Sequence, residues 1–134
     1  AGVRGRRLLL AEDNKINAEI ATKLLQKQGM TVDWVEDGTL VLQKFESAPE
    51  NYYDAVLLDI RMPKMDGLST ARYLRAMNRK DVVQVPIVAL TANAFDEDIR
   101  RSLEAGMNAH LAKPLNPQEL YQTLAELIGR REKV

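Results

Sequence analysis

The chain has 134 residues, 46% of them hydrophobic, enough to bury a core within one domain. Its 19 Lys and Arg cancel its 19 Asp and Glu, so no global field favours nucleic acid, an anionic membrane or a polycationic partner. With no cysteine and one histidine, disulfides and thiolate metal sites are excluded and a zinc cluster is disfavoured. The purest apolar runs, such as Leu8 to Ala11 and Ala55 to Leu58, fall far short of the roughly 20 residues that a membrane span requires. Because the chain begins Ala1-Gly2-Val3, it is expected to be a fragment of a larger polypeptide or to carry an expression scar.

In chain order, Arg7 to Ala11 reads as a strand, and Ile16, Ile20, Leu24 and Leu25 mark one face of a helix ending near Gly29. Thr31 to Val35 is a second strand, with Trp34 expected to pack beneath a helix. Leu40, Val41, Leu42 and Phe45 populate a second helix that Pro49 stops. Ala55 to Leu58 form a third strand running into Asp59. Asp66-Gly67 reads as a turn and helix start, and Leu68, Ala71 and Leu74 give the third helix. Pro86 to Leu90 make a fourth strand ending at Thr91. Asp96, Glu97 and Asp98 suit the positive N-terminal end of a fourth helix, which carries Ile99 and Leu103 and stops at Gly106. His110 to Ala112 is a short fifth strand. For the last helix Asn116 caps, Pro117 takes the first position, Glu119 completes the capping pattern, and Leu120, Leu124, Leu127 and Ile128 form the buried stripe.

This strict alternation predicts an α/β fold: a doubly wound, five-stranded parallel sheet with five helices, flavodoxin-like, in strand order 2-1-3-4-5. The expected domain runs over 7–130, with an extension or linker at 1–6 and a tail at 131–134. Open parallel sheets bind ligands at the carboxyl ends of their strands. Those ends carry Glu12 and Asp13, then Asp59, Thr91 and Lys113. Three carboxylates brought together repel by about 1 to 4 kcal/mol per close pair, so their convergence calls for a cation, and oxygen-only ligands point to Mg²⁺. In such a site Asp59 can attack phosphorus to give an acyl phosphate, Lys113 neutralises developing charge, and Thr91 donates a hydroxyl bond. Each residue taken alone has a blander reading. Asp59 could cap a turn, Glu12 and Asp13 could be a solvated pair, Asn14 a helix cap, Thr91 an ordinary strand residue and Lys113 an ordinary surface lysine.

Leu8-Leu9-Leu10-Ala11-Glu12-Asp13-Asn14, Leu57-Leu58-Asp59-Ile60-Arg61-Met62-Pro63-Lys64-Met65-Asp66-Gly67, Ile87-Val88-Ala89-Leu90-Thr91-Ala92 and Lys113-Pro114 together resemble a response regulator receiver domain over nearly the whole chain. The resemblance implies that Asp59 is the phosphoacceptor and that Asp13 and Asp59 bind Mg²⁺ directly. Glu12 helps, often through water, and the backbone carbonyl of Arg61 completes the protein ligands. It also implies that Thr91 and Lys113 grip the phosphoryl oxygens and that the Lys113-Pro114 bond is cis. The family switch couples Thr91 to the residue three before the lysine, here His110, and reshapes the face of helix four, strand five and helix five. Histidine is a less usual occupant there and adds a charge that can change near neutrality; it is rejected as a phosphoryl carrier. Side chains at Arg61 and Asn93 are implied to set the lifetime of the phosphorylated state.

The same resemblance implies a phosphoacceptor domain that catalyses its own phosphorylation and dephosphorylation. Its partner would be the dimerisation and phosphotransfer domain of a histidine kinase, or a histidine phosphotransfer protein, docking near Asn17 to Ala21. Asn14-Lys15-Ile16-Asn17 resembles receivers attached to hybrid sensor histidine kinases, which implies a cytoplasmic location, including the cytoplasmic part of a membrane-bound sensor kinase. No nucleic acid, no membrane contact by this domain and a monomer are expected. An aspartyl-phosphate phosphatase would need a second carboxylate where Arg61 stands, and a nucleotide-binding module a glycine-rich loop where Glu12-Asp13-Asn14-Lys15 stands. A receiver-like interaction domain that is never phosphorylated is the third alternative, against which stand the five site residues.

Overall fold

The computed structural model describes residues 3–92 and 96–132, leaving the side chains of 96–98 and 132 aside. Asn93 and the side chains of Asp96, Glu97 and Asp98 therefore lie outside the described residues. Strands β1 (Arg7–Ala11), β2 (Thr31–Val35), β3 (Ala55–Asp59), β4 (Ile87–Thr91) and β5 (Ala109–Ala112) form one parallel sheet in the order β2-β1-β3-β4-β5. Helices α1 (Lys15–Lys27), α2 (Gly38–Ser47), α3 (Gly67–Ala76), α4 (Asp96–Glu104) and α5 (Pro117–Glu132) connect or follow the strands. A short 3₁₀ turn at Asp81–Val83 precedes β4, an element the apolar spacing does not signal.

Short polar side chains start the helices by accepting backbone N–H groups that have no partner within the first turn. Asn14 accepts from Asn17 at 3.1 Å, Asp37 from Leu40 at 3.1 Å, Asp66 from Ser69 at 2.7 Å and Asn116 from Glu119 at 3.0 Å. Two buried clusters lie on opposite faces of the sheet, as alternation along each strand requires. Leu9, Ala11, Val56, Leu58, Ile87 and Ala89 face Val41 and Phe45 of α2 and Ala71 and Leu74 of α3. Leu8, Leu10, Leu57, Val88 and Leu90 face Ala18, Ala21 and Leu25 of α1 and Leu120, Leu124 and Ile128 of α5.

One expected stripe differs. Ile16 and Ile20 are 68% and 53% exposed, whereas Leu25 of the expected stripe is buried together with Ala18 and Ala21. At 100° per residue those three sit roughly opposite Ile16. Large side chains weighted the reading toward the wrong face, because small alanines let the helix lie close to the sheet. On α4, Leu103 is likewise exposed, and Ser102 turns inward with its hydroxyl donating to the Ile99 carbonyl at 2.8 Å. Trp34 is half-buried beside the cluster beneath α1 and α5. Val3 is buried in that cluster, and Arg131 donates to the Tyr53 carbonyl at 3.0 Å and to Asn51 Oδ1 at 2.7 Å.

At the amino end of the sheet, Arg79 forms a two-pronged bond with Asp81, both distances 3.0 Å, and donates to the Phe45 and Ala48 carbonyls that end α2. Among the described residues, no helix is long and apolar enough to cross a membrane.

Candidate functional site

The parallel register brings the carboxyl ends of β1, β3, β4 and β5 to one edge, and the chain turns there in each case. Glu12 and Asp13 follow β1, Asp59 ends β3, Thr91 ends β4 and Lys113 follows β5. One carboxylate oxygen from each of Glu12, Asp13 and Asp59 lies within 4.8 Å of the others, with Glu12 and Asp59 buried and Asp13 exposed. The Lys113 ammonium reaches both buried carboxylates, at 2.6 Å from Glu12 Oε1 and 2.7 Å from Asp59 Oδ2. Main-chain donors take the other oxygens: Arg61 N–H gives to Asp59 Oδ1 at 3.1 Å, and Asn14 N–H to Glu12 Oε2 at 3.2 Å.

Backbone packing holds the end of β3 that carries Asp59. The Ile60 N–H donates to the Leu90 carbonyl at 3.0 Å, and the Gly67 N–H that opens α3 returns to the Ile60 carbonyl at 2.9 Å. A Cβ at Gly67 would stand 2.4 Å from the Asp59 carbonyl oxygen, so glycine is required for α3 to start against β3. Thr91 is buried, and its carbonyl accepts from Lys113 N–H at 2.8 Å, tying the two together. The Lys113-Pro114 peptide is cis. Pairing sets Ala89 beside His110 and Thr91 beside Ala112. Residues two apart on a strand share a face, so Thr91 and His110 project to the same side of the sheet.

Charge is unbalanced here. One ammonium serves two buried carboxylates, with Asp13 close by. Burial first, and then the neighbouring Asp59 carboxylate, push Glu12 up to about 7, against the opposing pull of Lys113. Burial works against the Lys113 charge, but its bonds to Asp59 and Glu12 outweigh that and hold its pKa above the ordinary lysine value. Oxygen donors without histidine or cysteine, converging and short of positive charge, fit a hard divalent cation of the Mg²⁺ kind.

Among the described residues, two clefts open on this edge. One is lined by Asp13, Arg61, Asp66, Thr91 and, unforeseen in the sequence, Arg101 of α4. The other lies beside Asn17, Ile20, Ala21, Lys113, Pro114 and Leu115. Sequence reasoning also missed Trp34, whose indole N–H donates to the Glu12 carbonyl at 2.7 Å. Nothing in the local pattern of β2 signals where an indole nitrogen will point.

A 2-1-3-4-5 parallel sheet that gathers acids and a lysine at its carboxyl edge defines the flavodoxin-like class of α/β proteins that work at that edge. Within that class, the response regulator receiver domain model matches residues 8–125, and the chain belongs to that family. It is a receiver domain of the two-component or phosphorelay kind. Histidine protein kinase 1 of Candida albicans is 40% identical over 126 residues, 90% of this chain. Hybrid signal transduction histidine kinase L of Dictyostelium discoideum is 38% identical over 119 residues, 88% of this chain. The chain spans only 5% and 7% of the length of those two proteins. The receiver domain of sensor histidine kinase PA1611 from Pseudomonas aeruginosa, solved with a magnesium ion coordinated in its active site cleft, is 41% identical with a TM-score of 0.84. The match covers 93% of this chain and 98% of that one.

Proposed function

We propose that Asp59 accepts a phosphoryl group, with Mg²⁺, from a phosphohistidine of a histidine kinase or a histidine phosphotransfer protein. The observation that carries this reading is the shared ammonium: Lys113 holds Asp59 Oδ2 and Glu12 Oε1 together, while Asp13 stands within reach on the exposed side. Bound Mg²⁺ would supply positive charge to the phosphoryl oxygens and offset repulsion among the three acids. Glu12, Asp13, Asp59 and the Arg61 backbone carbonyl are the groups to hold it.

A carboxylate oxygen of Asp59 forms the new bond to phosphorus, the phosphorus–nitrogen bond of the donor breaks, and the imidazole leaves, taking up a proton. Lys113 then faces the anionic phosphoryl group, and the Thr91 hydroxyl donates to it. Movement of Thr91 toward that group alters the space open to His110 on the same side of the sheet, and so the face of α4, β5 and α5. The relatives support a hybrid sensor histidine kinase as parent, in which the domain would lie on the cytoplasmic side.

Incubation with Mg²⁺ and acetyl phosphate, followed by intact mass, tests the reading. The wild type gains one phosphoryl group, while Asp59→Asn and wild type in chelator gain none. An unchanged wild-type mass overturns it in favour of a receiver that works by binding alone.

A further inference from the structure

β2 is an edge strand, and its last two residues meet the acidic turn in different ways. The Glu12 N–H donates to the Val35 carbonyl at 3.1 Å, extending the β1–β2 ladder one residue past β1. The Glu12 carbonyl accepts from the indole N–H of Trp34 at 2.7 Å. Both main-chain polar groups of Glu12 are thus tied to β2, one by backbone and one by a side chain.

That carbonyl belongs to the Glu12–Asp13 peptide, which is a rigid plane. Holding its oxygen restrains ψ of Glu12 and φ of Asp13, the two torsions that set the angle between the Cα–Cβ bonds of the two acids. These are two of the three clustered carboxylates, and like charge pushes them apart. The restraint is firm because the ring is itself held: Trp34 pairs in register with Leu10 and packs half-buried against the cluster beneath α1 and α5. An indole has two side-chain torsions, so once its ring is packed the N–H direction is set as well.

We propose that Trp34 is a positioning residue for the metal site: its indole N–H holds the Glu12–Asp13 peptide so that both carboxylates stay turned toward Asp59. The inference rests on the Mg²⁺ reading of the acidic cluster. It touches no reacting atom and acts wholly through the main chain.

The test is calorimetric titration of MgCl₂ into the metal-stripped full chain and two variants. One is Trp34→Phe. The other carries β-(3-benzothienyl)alanine at position 34, which keeps the bicyclic shape and replaces only N–H by sulfur. Loss of one hydrogen bond predicts that the Mg²⁺ dissociation constant rises about three- to tenfold in both. Amide hydrogen exchange at Asp13 and Asn14 should also quicken in the metal-free variants. An unshifted constant in the benzothienyl variant overturns the proposal, even if Trp34→Phe binds poorly or fails to fold, because ring packing alone would then explain the residue. Mass measurement with acetyl phosphate separates the two readings. A wild type that binds Mg²⁺ but gains no phosphate, with the shift present in the variants, refutes phosphoacceptance and leaves the role of Trp34 standing. A wild type that is phosphorylated, with no shift in the variant, does the reverse.

Discussion

Two buried cation–carboxylate clusters sit at opposite ends of the same sheet and behave as different kinds of object. At the amino end, Arg79 meets Asp81 one to one through two bonds, with side chains only 14% and 2% exposed, and donates further to the carbonyls of Phe45 and Ala48. Asp81 Oδ2 also accepts from the Asn51 N–H at 3.0 Å. Charge and hydrogen-bonding capacity are matched, which suits a fixed joint between α2, α3 and β4. At the carboxyl end, the single ammonium of Lys113 is divided between Glu12 and Asp59, with Asp13 near by. Among the described contacts, that cluster sets one ammonium against three carboxylates. A matched cluster holds the fold together, whereas an unmatched one is left to bind something.

The contrast is most severely tested by Asp81→Ala, which strands a buried guanidinium. A loss of about 3 to 5 kcal/mol in urea unfolding is expected, with the folded fraction still taking phosphate from acetyl phosphate. A loss within error of zero would mean that the joint is ornamental. Next comes Lys113→Ala, which leaves two buried carboxylates without their ammonium and should cost about 1 to 3 kcal/mol in chelator. If Mg²⁺ binds the folded state as proposed, its stabilising effect should be larger in this variant than in the wild type. Phosphorylation should remain detectable, while the spectral change that accompanies it in the wild type is lost; equal changes in both proteins would count against Lys113 as the link to the surface.

A change of sign is expected at Asp13, which is exposed and adds charge to a crowded site. Asp13→Asn should raise metal-free stability by about 0.5 to 1 kcal/mol and weaken the response to Mg²⁺. Destabilisation of the metal-free protein would show instead that the acids are not in conflict.

An effect of similar size concerns pH. Glu12 titrates near 7 when folded, against an ordinary value of 4.5, so between those limits the folded state holds more proton than the unfolded one. The stability this group contributes is full below about 4.5 and is lost as pH rises through 7. Lys113, also raised, keeps its contribution until alkaline pH and loses it as pH passes its folded value. In chelator, wild-type stability should therefore fall between pH 5 and 8 by on the order of 1 kcal/mol more than that of Glu12→Gln. Parallel curves for the two proteins would remove Glu12 from the account.

The sequence by itself determined the alternation of strands and helices, the helix caps at Asn14 and Asn116, and the residues at the strand ends. These follow from local chemistry: apolar runs of strand length, side chains able to cap a first turn, and carboxylates placed where a parallel sheet opens. α1 was read on the wrong face at Ile16 and Ile20, because periodicity gives the spacing of a stripe without saying which stripe another element will cover. Tertiary structure alone decided that Lys113 would be shared between Glu12 and Asp59, 101 and 54 residues away along the chain. It alone sent the Trp34 indole to the Glu12 carbonyl and brought Arg101 to the cleft beside Asp13. Such contacts depend on where strand register and helix packing deliver each side chain, and no window of neighbouring residues carries that information.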